Sequence, residues 1–209
     1  MQNLKLIAPI IVMSIVIAVS NIVVQYPVNW FGLENILTYS ALTYPFVFLT
    51  NDITNRLYGP IDAAKVVLFG FMVGFIVTCL LAPVRLAIGS SAAFLFGQLL
   101  DIVVFTPLRR KSWWIAPLVA SIFGTILDNV IFFSLAFAPS FGFIDRIFGQ
   151  ADSSIVGYVQ YANTSMPIWL SLAIGSLGVK LLLSSFMVLP YGAIMRAFFA
   201  NLFYNKVKA

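Results

Sequence analysis

Polar positions interrupt the apolar runs of this 209-residue chain so rarely that the runs themselves define its elements. Stretches bounded by charge, glycine or proline predict six apolar helices, over 6–24, 38–57, 63–82, 84–106, 114–137 and 167–200. A helix rising about 1.5 Å per residue needs about 20 residues to cross a hydrocarbon core of about 30 Å, and each run is near or beyond that length. The last run extends past the bilayer, and Pro190, which removes one intrahelical hydrogen bond, predicts a kink in it. Pro83 suits a tight turn between the third and fourth spans. Residues 138–165 form the longest loop and place Asp145, Arg146 and Asp152 among aromatics, the pattern of a surface loop with an interfacial turn and a candidate lid.

Two of the spans carry one motif. Residues 96–105 read FGQLLDIVVF and residues 123–132 read FGTILDNVIF: Phe-Gly, an aspartate four residues on, and a phenylalanine four beyond that. Consecutive spans run antiparallel, so the motif points once inward and once outward, a local inverted repeat. Gly97 lies about 18 Å along its helix from Arg109 and Gly124 about 15 Å from Trp114, which puts both near the midplane, where glycine lets two backbones approach. Asp101 and Asp128 then sit about 6 Å to opposite sides of it.

Composition fixes the solvent. With 61% hydrophobic and 9% charged residues, the chain falls far short of the roughly one quarter charged that covers a soluble globule. The expectation is an all-α membrane protein, a single six-helix transmembrane domain over 1–209. Basic residues sharpen the topology: Lys5, Arg56, Lys65, Arg109, Arg110, Lys111, Arg196, Lys206 and Lys208 fall on one side, against Arg85 and Arg146 on the other. That bias predicts an inner-membrane protein with both termini cytoplasmic, and it explains a pI of about 9.5 without nucleic acid. A signal peptide ending at Ala18-Val19-Ser20 is the competing reading of the first span, but its removal severs Asn21 and Gln25 from the bundle. Trp113 and Trp114 read as interfacial anchors. One cysteine, no histidine and scattered carboxylates argue against a disulfide or metal centre, and no cofactor is expected. No Walker loop, serine elbow or histidine base is present, so neither an ATPase nor another enzyme is expected.

A carboxylate at membrane depth costs a few kcal/mol, so it must be paired, protonated or turned to a wet cavity. Asp101 and Asp128 therefore form either a polar clamp between helices or the frame of a binding cavity, with Gln98 and Asn129 adding amides. Lys180, about 20 Å along its helix from Pro167, falls near the height of Asp101 and is its expected partner, with Asp52 as the fallback. Asp128 is then left without a cationic neighbour and is the favoured acceptor for a ligand. Asp52 and Arg56, one turn apart, suit an ion pair that anchors a helix end or gates the site. Arg85 opens the fourth span, as a snorkelling interfacial residue or a group near the cavity mouth. Asn21 and Gln25 face a neighbouring helix or the ligand. Such a cavity, lined by phenylalanine and tyrosine, suits a flat, donor-rich, neutral to cationic molecule such as a nucleobase.

The runs TYPFVFLTNDITNRLYG, RLAIGSSAAFLFGQLLDIVVFTPLRRKSWWIAP, ASIFGTILDNVIFF and KLLLSSFMVLPYG, with the early SNIVVQYPV, resemble the queuosine precursor transporter family, also called vitamin uptake transporters. The resemblance covers most of residues 20–192. It implies six helices arranged like the substrate-binding subunits of energy-coupling-factor transporters, and import of 7-cyano- or 7-aminomethyl-7-deazaguanine without an ATPase partner. On these motifs Asp52, Arg56, Arg85, Gln98, Asp101, Asp128 and Lys180 take the family positions, while many relatives carry an acidic residue where Asn55 or Arg56 stands. The alternatives are an energy-coupled vitamin-binding subunit with separate ATPases and a non-transporting membrane scaffold. The expected partners are a small nucleobase-like substrate and the lipid bilayer, with a homodimer allowed and no nucleic acid.

Overall fold

The structure is a computed structural model and describes residues 4–23, 26, 28, 39–161 and 164–207. Its helices are α1 (Ile7–Val23), α2 (Ser40–Thr43), α3 (Pro45–Tyr58), α4 (Pro60–Leu81), α5 (Val84–Leu108), α6 (Ile115–Phe137), α7 (Phe143–Ile147), α8 (Ile168–Phe186) and α9 (Val188–Val207). An antiparallel hairpin of β1 (Tyr158–Tyr161) and β2 (Thr164–Pro167), with Tyr158 opposite Pro167, leads into α8. The sequence pattern predicts loop up to residue 165 and the last helix from 167.

Among the described residues, four segments are long and apolar enough to cross a membrane: α4, α5, α6 and the stretch 168–198. Helix α1 is apolar but shorter, at 17 residues. The expected span 38–57 is two helices, α2 and α3, meeting at Tyr44, because Pro45 brings no N–H to the ladder. Helix α3 has only 14 residues, about 21 Å, and it buries Asn51, Asp52, Thr54 and Asn55. Those polar groups avoid lipid because α1, α4 and α5 pack around α3 and α8 and α9 touch it. The expected span 167–200 divides at Met187 into α8 and α9. The break falls three residues before Pro190, whose missing N–H leaves the Phe186 carbonyl without its helical donor.

Among the described residues, two large apolar clusters hold the bundle, beside a small one around Val28. Met13, Ile17, Val47, Val66, Val67 and Phe94 join α1, α3, α4 and α5. Leu49, Phe105, Ala116, Ala120, Tyr191 and Met195 join α3, α5, α6 and α9. Large apolar side chains such as Ile61, Leu68, Met72, Leu80, Val103 and Leu182 point outward, as a surface facing lipid requires.

Among the described residues, helices α5 and α6 make the most extensive pairing, and the repeated motif is its centre. A Cβ placed on Gly97 would lie 3.0 Å from Asp128 Cβ and 3.1 Å from the Gly124 carbonyl oxygen. One placed on Gly124 would lie 2.9 Å from the Gly97 carbonyl oxygen and 3.2 Å from Asp101 Cβ. Each glycine therefore receives the aspartate of the other repeat. The antiparallel duplication serves to cross two helices at backbone contact and to set both carboxylates beside the crossing.

Candidate functional site

The two repeated aspartates occupy different surroundings. Asp128, on α6, accepts a hydrogen bond from the Tyr44 hydroxyl at 2.7 Å on one oxygen and from Lys180 Nζ at 2.9 Å on the other. The lysine also lies over the rings of Tyr44 and Phe132, at 5.2 and 5.9 Å. This overturns the expected Lys180–Asp101 pair and the expectation that Asp128 lacks a cation. Height along a helix was a sound guide to burial, but packing decides the partner, and α8 lies against α6. Three rungs fix that contact: Asn129 Nδ2 donates to the Ala173 carbonyl at 2.9 Å, Lys180 meets Asp128, and the Thr125 and Ser184 hydroxyls lie 3.3 Å apart.

Asp101, on α5, faces α3. Asn51 Nδ2 donates to its Oδ2 at 2.9 Å and to the Gln98 carbonyl at 3.2 Å. The carboxyl group of Asp52 stands within hydrogen-bonding reach of that of Asp101. Arg56 spends its donors elsewhere: its Nε donates to the Tyr191 hydroxyl at 2.8 Å and its Nη1 to the Arg109 carbonyl, while Nη2 is buried without a partner. The expected Asp52–Arg56 ion pair is thus not made within 4 Å. The helix end offers Arg56 a free carbonyl and an aromatic hydroxyl, while Asp52 points into the bundle.

Around both aspartates lie buried polar atoms with no protein partner: both amide atoms of Gln98 and the side-chain oxygens of Asn51, Asn55 and Asn129. Gln98 is wholly buried and Asn129 nearly so. An orphaned buried amide costs about 1–3 kcal/mol, so such a group of them marks a place where water or a ligand belongs. A cavity of about 20 Å³, enough for about one water, is bordered by Ser20, Asn21, Tyr44, Thr78, Ser91 and Phe94. Tyr44, the hydroxyl donor to Asp128, is part of its wall. Asn21 reaches α4 here, donating to Thr78 Oγ1 at 2.8 Å. A second small cavity touches Asp52, Ser121 and Ser184. Gln25 lies outside the described residues.

Arg85 belongs to a different construction. The snorkelling expectation fails, because its side chain is fully buried. Nε donates to the Leu135 carbonyl at 2.8 Å, Nη2 to the Ala138 carbonyl, and Nη1 reaches Asp145, Asp152 and Ser154. The C-terminal end of α6 has carbonyls without helical donors, and a guanidinium satisfies several at once. The loop 138–154 is thereby tied to the start of α5. Asp152, outside the helices, is held below the usual carboxylate range by the Ser154 hydroxyl and N–H, with Arg85 adding to the effect.

Tyr44, Asn51, Asn55 and Tyr191 were not among the expected site residues. The first three were legible: positions 44, 48, 51, 52 and 55 fall at helical spacing on one stripe, with Phe48 the single apolar member. Among the described residues no group of three or more His, Cys, Asp or Glu side chains is placed to hold a metal ion.

No curated protein and no solved structure matches the chain. The profile of the family described as "Putative vitamin uptake transporter" matches residues 38–84 and 79–195, which include α3 to α8 and every polar group of the two aspartate sites. This membrane chain of apolar helices belongs to that family of vitamin uptake transporters.

Proposed function

We propose that the chain is a secondary transporter of the inner membrane that imports 7-cyano- or 7-aminomethyl-7-deazaguanine. In this reading α1 and the α2–α3 segment complete six crossings, arranged like the substrate-binding subunits of energy-coupling-factor transporters, with both termini cytoplasmic. The positive bias of the inner loops supports that orientation.

The observation that carries the reading is the pair of separate donors on Asp128. One oxygen takes the Tyr44 O–H and the other takes the Lys180 ammonium. A guanine-type edge offers a ring N–H beside an exocyclic amine, two donors that a single carboxylate accepts together. The ligand edge can therefore replace both internal donors without leaving an oxygen unpaired. Gln98 and Asn129 supply amides for its remaining polar atoms, and the aromatic rings of Tyr44, Phe48 and Phe132 supply stacking surface. Asn21 borders the cavity on the α1 side. Arg85 acts on the site indirectly, by holding the outer loop.

A thermal-shift screen of the purified chain tests this reading. A ligand that binds only the folded state raises apparent stability by RT ln(1 + [L]/Kd), about 2.7 kcal/mol at a hundredfold excess over Kd. Deazaguanines are expected to raise the melting temperature and adenine is not. A shift with a vitamin such as riboflavin or biotin, and none with any deazaguanine, refutes the substrate.

A further inference from the structure

We infer that the facing carboxyl groups of Asp52 and Asp101 form a proton-binding site that couples substrate import to proton entry. The inference rests on the transport reading above and concerns residues apart from the Asp128–Lys180 pair. Both side chains are at least 97% buried. An ionised carboxylate only accepts hydrogen bonds, so contact between two carboxyl groups requires a proton on one of them. Like charges this close do not both ionise, and such a dyad titrates as a unit.

Among the described residues, no cation forms an ion pair with either carboxyl group, which leaves the proton as the charge that neutralises the dyad at contact. On α3, Arg56 gives Nε to Tyr191 of α9 and Nη1 to the Arg109 carbonyl and keeps Nη2 buried without a partner, so its charge is felt at Asp52 without a salt bridge. From α6 and α8, Asp128 and Lys180 neutralise each other, with Tyr44 bound to the same carboxylate. Ahead of α1 and on α4, Lys5 and Lys65 both pair with Asp62. Asn51 aims into the dyad with its amide nitrogen on Asp101, and its own carbonyl oxygen is buried without a partner, a vacant acceptor for a carboxyl O–H. The free oxygens of Asp52 and Asp101 are likewise unpartnered. The small cavity between Asp52 and the hydroxyl-bearing Ser121 and Ser184 gives water a place from which to deliver the proton. In each cycle one proton from the outer solution binds the dyad, crosses with the substrate, and leaves to the cytoplasm. The balance is one proton and one substrate moved inward.

Proteoliposomes containing only this chain, loaded with a pH-sensitive dye and supplied with labelled 7-cyano-7-deazaguanine, test the coupling. With the membrane potential clamped, uptake acidifies the lumen, and an outside-acid gradient of about one pH unit raises accumulation about tenfold for one proton per substrate. Asp52→Asn, whose amide still donates to Asp101, continues to exchange labelled for unlabelled substrate but loses both proton responses. Independently of transport, infrared spectra of the parent at neutral pH contain a carboxylic-acid C=O band that shifts in D2O and is missing from Asp52→Asn. Uptake by the parent with no acidification and no response to the gradient overturns the coupling alone. Absence of the infrared band overturns the shared proton, and absence of any uptake removes coupling and transport together.

Discussion

Lys180 Nζ lies 2.9 Å from Asp128 Oδ2, and the pair bridges α8 to the second copy of the repeated motif. The lysine side chain is 14% exposed and the aspartate 4%, so the pair is shielded from water on nearly every side. Removing one partner leaves the other charge buried, whereas removing both relieves that penalty.

A double-mutant cycle therefore gives a positive coupling. Asp128→Asn and Lys180→Met are each expected to lower stability in detergent, and the double variant to lose less than their sum by about 1–3 kcal/mol. Additive losses show the two side chains to be independent.

The glycines predict an asymmetry. A Cβ on Gly124 meets Phe48 Cε1 at 2.6 Å and the Gly97 carbonyl at 2.9 Å, whereas a Cβ on Gly97 meets nothing closer than 3.0 Å. Backbone cannot yield as a side-chain tip can, so Gly124→Ala is expected to cost about 1–3 kcal/mol through overpacking and Gly97→Ala less. Melting temperatures of the two variants check the order. Equal values contradict the crossing geometry.

Arg85 predicts a loop phenotype. Its loss leaves Asp145 buried and uncompensated, a cost of about 3–5 kcal/mol, and frees the segment 138–154. Arg85→Lys carries three donors in place of five and cannot span the Leu135 and Ala138 carbonyls together with Asp145. Limited proteolysis should cut that loop faster in Arg85→Ala and in Arg85→Lys. Parent-like cleavage of Arg85→Lys means that charge alone holds the loop.

The sequence made some of this legible and hid the rest for physical reasons. The spacing of FGxxLD in consecutive spans was enough to place Gly97 and Gly124 at a helix crossing, because rise per residue and antiparallel direction fix relative height. The same arithmetic brought Lys180 to buried carboxylate depth yet named the wrong aspartate, because height says nothing about which neighbour a helix faces. The break at Tyr44 was marked by Pro45, but its hydroxyl's reach to Asp128 is a contact between residues 84 positions apart. The acceptors of Arg85 were hidden for a related reason: two are carbonyls at the C-terminal end of α6, and no side-chain pattern records them.

Substrate recognition at Asp128 predicts selectivity as well as affinity. Asp128→Asn keeps the shape but places an amide where an acceptor is required, leaving a ligand donor unpaired at about 1–3 kcal/mol. Deazaguanine affinity should fall roughly 5- to 150-fold, and adenine should bind poorly to the parent, since it lacks the adjacent pair of donors. A folded Asp128→Asn variant that binds as tightly as the parent would make this aspartate a packing residue.

Uptake by the chain alone tests the central claim most directly. Purified protein in liposomes, without any ATPase or ATP, is supplied with labelled 7-cyano-7-deazaguanine, and internal label is followed against empty liposomes and Asp128→Asn. The account predicts saturable uptake that unlabelled deazaguanine suppresses, adenine does not, and Asp128→Asn strongly reduces. Internal label no higher than in empty liposomes, from protein that is folded and inserted, contradicts it.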